Sequence, residues 1–579
     1  MPSAAERQLN KKLSQIFRMN GLALRPDAMQ PLYDVLQGDD GWEATLNALL
    51  AEVQHQELAG GTVDATAVKA AISAVRQRHS AKPSLSLEVI DAFSMPRARF
   101  DKQRRTLVPD STKPALFAPA AAKAGLYSLR LSMVEQRVRR HTMFKPPALA
   151  NGINPREHLE LTGLDALLGR SGVRVVLGVL SEIEAGKYQL EDAHSSIPLD
   201  LSAADVTPGL FTKYSIVLAE GEVQPSGVFR VKQLGLPPPE PIADSLTSLG
   251  SFDMLRAPTT DISDSSPSSV VTGPPNQAAA SSRGAANSLR VRADSVAMKN
   301  AMLVVLSDVW LDRPKVLEQL TTLFAGYEQV GSEVIGSGRS AVPLASFFTF
   351  VLCGNFNSGG VATAQCGISY DRNFHLTNFK NLSTIINKHQ ILAKHSHFIL
   401  VPGQDDPSIS APEILPRAPL PNFMVAEVRK VCAHVELMSS PCRLVLCGQT
   451  IVIHRDELLV KARRSCVVRP LSEGLELNQH LTKSLIDGAH LCPLPPNESP
   501  VYWQHDHALW LHPAPEVLIL ADRQWSFQHH YNETLVFNPG NFASDLSWMV
   551  YRPSTKEVEA SSLSDDDVPM RDVNYARPV

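Results

Sequence analysis

The feature that most constrains the fold is a series of six short apolar runs between residues 301 and 522. The runs read AMLVVL, FFTFVLCG, SHFILV, CRLVLCG, TIVIH and EVLILAD, and each has the length of one buried β-strand. RPKVLEQLTTLFAGY and TNFKNLSTIINKHQILAKH, which lie among them, have the apolar spacing of amphipathic helices. Alternating strands and helices predict a layered α/β domain, which we assign to residues 298–556.

A second domain, rich in β-strands, is predicted for residues 161–240. VRVVLGVLSEI, KYQLED, SIPLDLS, YSIVLAEGEV and GVFRVKQLGL alternate as strands do, with AADVTPGLFTK as a helix-like insert after the third. This is the element order of an OB fold. Its aromatic residues are Tyr188, Phe211, Tyr214 and Phe229, with few cations among them. A structural or protein-binding OB fold is therefore favoured over a reader of single-stranded nucleic acid.

The N-terminal part is predicted to be helical. In residues 1–82, Leu13 and Phe17 belong to an apolar helical face, and Asp64 is a candidate N-cap for a later helix. Residues 83–160 form a connecting segment that ends in a helix. The arginines near the end of that helix suit its dipole. A solvated helix end is favoured for them over a phosphate or partner contact; they are Arg137, Arg139 and Arg140.

Two segments have the composition of disordered chain. Residues 241–297 are rich in Ser, Ala, Pro and Thr, and SFDML at 251–255 is the one apolar cluster that could attach to a domain surface. Residues 557–579 are polar and acidic, and they are predicted to be a disordered tail.

Bulk properties exclude several classes of protein. The net charge of −4 gives no general basic footprint for nucleic acid, although local basic patches remain compatible with it. The seven cysteines form no Cys-x-x-Cys pair, which disfavours structural zinc and a disulfide framework. MPSAAERQLNKKL does not resemble a signal peptide, and no apolar run approaches bilayer length. We expect a soluble intracellular protein without a phosphate loop, a nucleophile elbow or a kinase motif set.

Candidate chemistry lies in the polar loops that follow the strands. These loops are SDVW at 307–310, GNFNS at 354–358, PGQDDP at 402–407, and ADRQWSF at 521–527 with NPGNF at 538–542. Because sheets of this class place their sites at the carboxyl ends of strands, the loops are expected to meet.

In order and spacing, these loops resemble the motifs of the metallophosphoesterase (calcineurin-like) family. That series is Asp-x-His, Gly-Asp-x-x-Asp, Gly-Asn-His-Asp/Glu, a lone His and Gly-His-x-His. The residues of this chain at the corresponding places are Asp308, Trp310, Asn355, Gln404, Asp405, Asp522 and Arg523. The lone histidine has no assigned counterpart, since PCRL stands near its expected position and His454 lies beyond it.

These replacements argue against a two-metal centre. Such a centre needs a shared anionic ligand and several imidazoles. The Trp310 indole cannot ligate a metal, Asn355 brings no charge, and Arg523 adds a permanent cation. We predict an inactive phosphoesterase fold with no catalytic, metal or cofactor site. A single magnesium ion on Asp308, Asp405 or Asp406 is the less favoured alternative. The histidines of HSH (395–397), HDH (505–507) and HH (529–530) are expected at helix ends and in packing. A divergent metal-dependent phosphodiesterase or nuclease is the alternative.

The amino-acid sequences of these loops and of their flanking strands point to a more specific family. LSDVWLDRPKVLEQL, FVLCGNFNS, LVPGQDDP, PCRLVLCGQTIVIHRDEL, HLCPLP and NPGNF closely resemble the B-subunit family of DNA polymerase epsilon. The N-terminal helical domain, similar to the lid of AAA+ ATPases, favours this family over the B subunits of other replicative polymerases, which stay as an alternative.

The resemblance implies a nuclear, non-catalytic scaffold. The OB and phosphoesterase domains would bind the zinc-binding C-terminal region of the catalytic subunit. The N-terminal domain would dock to the replicative helicase assembly through the GINS complex. Small histone-fold subunits are further possible partners, DNA would be met only indirectly, and no membrane is implied.

Overall fold

The computed structural model describes most of the chain after residue 83 and scattered residues before it. The described residues are 13, 17, 23–25, 27–29, 32, 53, 62–69, 71, 84–101, 103–145, 158–167, 169, 171–250, 252–255, 295–336, 341–359, 372–408, 411, 413–468 and 474–563. The chain divides into two compact units. One is Met1–Pro83 with Val334–Val342, and the other is Ser84–Glu333 with Pro343–Val579.

The first unit has helical residues around a small core. Leu13 and Phe17 are helical and fully buried. A parallel pair of two-residue strands, β1 (Ala23–Leu24) and β2 (Thr62–Val63), was not predicted, because strands so short leave no periodic pattern. The Asp64 carboxylate accepts a hydrogen bond from the Ala67 amide at 2.8 Å. The predicted N-cap is therefore confirmed.

The OB domain is a closed barrel. Its strands are β6 (Leu161–Thr162), β7 (Arg174–Glu184), β8 (Lys187–Glu191), β9 (Ser196–Asp200), β10 (Asp205–Val206), β11 (Phe211–Thr212), β12 (Ile216–Val223) and β13 (Phe229–Gly235). The order β13-β12-β7-β8-β9 is closed by pairing of β13 with β9. The five predicted strands are confirmed. The prediction of a helix-like insert at residues 203–213 was wrong. This segment forms β10 and β11, and Pro208–Gly209 between them is unfavourable for a helix.

The α/β domain contains two six-stranded sheets. The first has the order β19-β18-β17-β14-β26-β27, with β14 (Met302–Leu306), β17 (Phe348–Cys353), β18 (His397–Val401), β19 (His434–Leu437), β26 (Ser547–Arg552) and β27 (Glu557–Ser562). The second has the order β24-β25-β23-β21-β20-β3, with β3 (Leu87–Asp91), β20 (Cys442–Leu446), β21 (Gln449–His454), β23 (Val517–Leu520), β24 (Phe527–Tyr531) and β25 (Thr534–Asn538). The sheets share one apolar core, to which Val305 and Val351 contribute from the first and Ile453 and Ile519 from the second.

The remaining strands are short pairs. They are β4 (Arg97–Asp101) with β5 (Thr106–Asp110), β15 (Val334–Ile335) with β16 (Val342–Pro343), and β22 (Cys466–Val468) with β11. Among the described residues after Pro83, the α-helices are α1 (Ala121–Arg140), α2 (Ile242–Leu249), α3 (Ser295–Asn300), α4 (Pro314–Gly331), α5 (Arg372–Lys388), α6 (Gln390–His395), α7 (Ala426–Val431), α8 (Leu458–Arg464), α9 (Leu477–Gly488) and α10 (Phe542–Asp545). None of the helices in the described ranges combines the length and the hydropathy that spanning a bilayer requires.

Two predictions of disorder were wrong in part. Helix α2 begins one residue into the predicted linker of residues 241–297, and Leu249 and Met254 are buried against α1. Strand β27 lies entirely within the predicted tail of residues 557–579 and extends the first sheet. In both places the prediction rested on the composition of a long polar segment, which hides a short apolar pattern within it. The rest of both segments, residues 256–294 and 564–579, lies outside the described residues.

The barrel and the α/β domain are joined by β11. This strand pairs with β22 of the α/β domain. Just before it, the Leu210 amide donates to Ser484 Oγ at 2.6 Å, and the Gly209 amide donates to His480 Nδ1 at 2.9 Å. Because these donors and acceptors are buried, separating the two domains would leave them unpaired.

Candidate functional site

The strand arrangement brings the polar loops to one edge of the sheets. Strands β14, β17 and β18 run parallel in the first sheet, and β21 and β23 run parallel in the second. Their carboxyl ends are followed by Asp308, Asn355, Asp405, Arg455 and Asp522 respectively. The expectation that these loops meet is confirmed.

Asp308 forms a buried ion pair with Arg455. Both side chains have no exposed surface, and Arg455 Nη2 lies 2.8 Å from Asp308 Oδ1. Arg455 Nε also donates to the Gly354 carbonyl. Burial lowers the pKa of the Arg455 guanidinium, but Asp308 and Asp522 raise it more, so its pKa is raised overall. A permanently charged guanidinium therefore occupies the space beside the first aspartate.

The loop after β17 is held by two carboxylates of the loop after β18. Asn355 Nδ2 donates to Asp405 Oδ2 at 2.8 Å, and Asn355 Oδ1 accepts from the Asp405 amide at 3.1 Å. Asp406 is fully buried and accepts from the amides of Phe356 and Gly403, both at 2.8 Å. Burial raises the pKa of Asp406 to about 6. Asn355 thus acts as a bridge between loops through hydrogen bonds.

Arg523 closes the outer side of the cluster. Its side chain is 33% exposed and lies 3.0 Å from Glu457, 3.5 Å from Asp308 and 3.7 Å from Asp405. The adjacent Asp522 points elsewhere: its carboxylate accepts from the Leu459 amide at 2.9 Å. Arg523 is brought to the cluster as predicted, and Asp522 instead fixes the start of α8.

Besides Asp522, two further predicted site residues do not join the hydrogen-bonded cluster. The indole Nε1 of Trp310 is buried and has no hydrogen-bond partner within the described residues. Gln404 is half-buried next to Asp405. In the described part of the chain, no three His, Cys, Asp or Glu side chains form a group that could hold a metal ion.

Arg455 was missed by the sequence reasoning. Its neighbour His454 was considered instead, but strand alternation separates the two side chains. Ile451 and Ile453 face the core between the sheets, whereas Val452 faces the opposite side with α8 and α9. His454 shares the parity of Val452 and Arg455 that of Ile453, so the arginine faces the cluster. Burial lowers the pKa of His454 to about 4. The signal was available, because Arg-Asp-Glu follows TIVIH as polar loops follow the other strands.

A second buried cluster joins α1 to the HDH segment. Arg130 donates through Nε at 2.9 Å and through Nη2 to the Asp506 carboxylate, which also accepts from Trp510 Nε1 at 3.0 Å. His490 Nε2 lies 3.2 Å from the same carboxylate. Burial raises the pKa of Asp506, but Arg130 and His490 lower it more, so it lies well below its ordinary value.

The expectation of solvated arginines at the end of α1 was wrong for Arg137. This side chain is buried and donates to the carbonyls of Ile486 and Asp487 at the end of α9. Arg140 is paired with Glu240 at 2.7 Å, and Arg139 with Glu135 at 2.8 Å. Arg137 lies three residues after Val134, on the apolar face, which explains its burial.

Three of the four aromatic side chains of the barrel are unavailable to bases. Phe211 and Phe229 are fully buried in the barrel core. The Tyr214 ring packs on the Tyr127 ring of α1 at 5.3 Å. Base stacking needs exposed rings, so these three residues give no platform for single-stranded nucleic acid.

Comparison with known proteins agrees with this architecture. Family models match residues 5–75 (DNA polymerases epsilon N terminal), 120–238 (DNA polymerase epsilon subunit 2-like, OB-fold domain) and 303–529 (the B subunit of DNA polymerase alpha/epsilon). The DNA polymerase epsilon B subunit of Arabidopsis thaliana is 33% identical over 96% of this chain and 99% of its own length. The chain belongs to the B-subunit family of DNA polymerase epsilon. The human DNA polymerase epsilon subunit 2 is 33% identical over 97% of this chain and 99% of its own.

Some other relatives of this epsilon B-subunit family member are more distant. The one from Schizosaccharomyces pombe is 28% identical over 88% of this chain and 81% of its own. Among solved structures, a novel archaeal phosphodiesterase covers 45% of this chain and 99% of its own, with 12% identity and a TM-score of 0.22. A likeness of that size carries no conclusion about fold or activity.

In this epsilon B-subunit family member, two loops approach each other so closely at Gly354 that they leave no room for a side chain. A Cβ at Gly354 would lie 1.8 Å from Asp406 Oδ2 and 2.5 Å from the Gly403 amide nitrogen. We expect Gly354→Ala to lower the free energy of unfolding by about 2–3 kcal/mol, since the buried loops must move apart. Urea unfolding measures this. Gly326→Ala is the control: nothing lies within 4 Å of that Cβ, and in helix α4 it should stabilise slightly. Equal stabilities of Gly354→Ala and wild type would contradict the described loop contact.

Asp522 makes stability depend on pH. Burial raises its pKa from 3.8 to about 6, so the folded chain binds this proton more tightly than the unfolded chain does. Ionising the buried carboxyl group therefore lowers the free energy of unfolding as pH rises from about 4 to above 6. We expect Asp522→Asn to raise the free energy of unfolding at pH near 7.5 by up to roughly 3 kcal/mol, and to have little effect near pH 4.

The measurement is urea unfolding of wild type and Asp522→Asn across this pH range. Asparagine keeps the oxygen that accepts from Leu459, so the hydrogen bond is preserved. Glu559→Gln, at a side chain that is 65% exposed, is the control and should follow wild type. A variant curve parallel to wild type at every pH would show that Asp522 does not titrate in this window.

Proposed function

We propose that this chain is a non-catalytic accessory subunit of DNA polymerase epsilon, and that residues 298–556 are a phosphoesterase-like domain without its metal site. The observation that carries the proposal is the buried pair of Asp308 and Arg455. A cation entering at Asp308 would have to displace a guanidinium that is also bonded to the Gly354 carbonyl. Asp308, Trp310, Asn355, Gln404, Asp405, Asp522 and Arg523 would then be a degenerate ancestral pocket.

The proposed role is that of a scaffold with three functional parts. These are the helical domain of residues 1–82, the OB fold of residues 161–240 and the phosphoesterase-like domain. The buried contacts of β11 and α1 support a single rigid surface formed by the last two. That surface would bind the zinc-binding C-terminal region of the catalytic subunit. The helical domain would dock to GINS in the replicative helicase assembly, in the nucleus, with histone-fold subunits as further members.

Affinity purification of the tagged full-length chain from cells tests this proposal. We expect a large polymerase subunit in stoichiometric amount. A chain lacking residues 1–82 should keep that subunit and lose the helicase components. Recovery of no polymerase subunit would refute the scaffold role.

An activity assay tests the alternative of a metal-dependent phosphodiesterase or nuclease. The purified chain is incubated with manganese, a chromogenic phosphodiester and DNA with free ends. We expect no turnover above that of Asp308→Ala. Turnover that requires manganese and disappears in Asp308→Ala would establish an enzyme instead.

A further inference from the structure

Positive charge is concentrated in one part of this acidic chain. Residues 92–134 contain eight lysines and arginines and two aspartates, a net charge of +6. The whole chain carries −4, so the remainder carries −10. The centre of this segment is the hairpin of β4 (Arg97–Asp101) and β5 (Thr106–Asp110), which we call the basic hairpin.

The register of the basic hairpin separates an apolar face from a charged face. Ala98 and Leu107 are buried in the core that includes α1, and Phe100 packs against that core. Arg99 stands opposite Val108 on the other face and is exposed. The hairpin is thus anchored through one face. The other face touches the end of α2 at Thr106, whose hydroxyl donates to the Ser248 carbonyl at 3.0 Å, and is exposed at Arg99.

Three arginines of the charged face and the turn are available to a ligand. Arg99 and Arg105 are exposed, and the Arg104 side chain is 76% exposed, with Asp101 at 3.9 Å as a loose, solvent-screened partner. Arg97 differs from them, because it is paired with Asp110 at 3.4 Å and bonded to Thr112. Arg105 has a φ of 51°, a conformation that favours glycine or asparagine.

The chemistry of this surface fits a polyanion, and its shape fits a duplex. Guanidinium groups bind phosphate oxygens through paired hydrogen bonds. A two-stranded ribbon has the width of the major groove of DNA. The only aromatic ring of residues 97–110, Phe100, packs inward, so base stacking is not offered. We propose that the basic hairpin binds the phosphate backbone of double-stranded DNA, independently of sequence. This inference goes beyond the proposed function and does not rest on it.

Fluorescence anisotropy of the full-length chain with a labelled duplex of about 20 base pairs tests the proposal. Affinity is measured from about 50 to about 200 mM salt. We expect Arg99→Gln/Arg104→Gln/Arg105→Asn to weaken binding about tenfold or more at the lowest salt. The slope of log affinity against log salt should fall by about 2 to 3, since each lost phosphate contact removes about 0.9.

A matched control removes the same charge elsewhere. Lys187→Gln/Lys232→Gln/Arg552→Gln replaces three exposed cations that are paired with Glu184, Glu222 and Glu559. This control should bind as wild type does. Equal weakening by both triple variants, or absence of duplex binding by wild type, would overturn the proposal. Tighter binding to a single strand of equal length would overturn the assignment to duplex DNA. If the hairpin triple variant has a lower melting temperature than wild type, the single variant Arg104→Gln replaces it in the test. This variant must reduce the slope of log affinity against log salt by about 1.

Discussion

Replacing Asp308 with alanine should destabilise the chain by about 3–5 kcal/mol, because it leaves the Arg455 guanidinium buried without its counterion. Both side chains have no exposed surface, so water cannot replace the lost carboxylate. Urea unfolding at neutral pH, followed by tryptophan fluorescence, measures the change. Glu135→Ala, which removes the half-buried partner of the exposed Arg139, should cost less than about 1 kcal/mol and serves as control.

A second substitution distinguishes a counterion from a residual metal ligand. If Asp308 is retained to neutralise Arg455, then Asp308→Ala/Arg455→Met should recover most of the lost stability, since an apolar pair of similar volume replaces the ions. A double variant as unstable as Asp308→Ala would contradict the pairing as the cause. The pairing would also be contradicted if added manganese raised the stability of wild type but not that of Asp308→Ala.

Asp506→Ala should destabilise the chain by a similar amount, about 3–5 kcal/mol at neutral pH. This carboxylate accepts hydrogen bonds from Arg130 and Trp510 and contacts His490, all of them buried. Because its folded pKa lies well below the ordinary value, the stabilisation is present above about pH 4 and is lost as pH falls further. The difference between variant and wild type should therefore shrink below that pH.

Unfolding curves at neutral and acid pH measure this effect. Glu498→Ala is the control, because it removes a carboxylate that is only loosely paired, at 3.9 Å, with the exposed Arg464. Limited proteolysis adds a structural readout. Loss of the Arg130 anchor should expose the segment around α1 to cleavage before the α/β core is cut. A variant as stable and as resistant as wild type would refute the role given to this buried cluster.

Local pattern accounts for much of the fold. The apolar runs that became β14, β17, β18, β20, β21 and β23 needed no tertiary information, because each is short, apolar and followed by polar residues. Their polar ends meet since parallel strands bring carboxyl ends to one edge. Asp308, Asn355, Asp405 and Arg523 are therefore expected to lie together from the amino-acid sequence alone.

What the sequence concealed are partners that lie far apart along the chain. Arg130 and Asp506 are 376 residues apart, so nothing local marks them as a pair. Arg130, Val134 and Arg137 nevertheless share one helical face, and two arginines in an apolar stripe indicate buried acceptors elsewhere. Arg455 was overlooked for a different reason: comparison with a metal-binding motif directs attention to histidine, whereas charge complementarity to Asp308 directs it to arginine.

We propose that a guanidinium, rather than metal ions, neutralises the cluster at the sheet edge. Manganese titration of the full-length chain, followed by electron paramagnetic resonance, tests it most directly. We expect no saturable binding up to millimolar manganese and no difference between wild type and Arg523→Gln. Two manganese ions bound per chain in the micromolar range, coupled to each other and lost in Asp308→Ala, would contradict the claim.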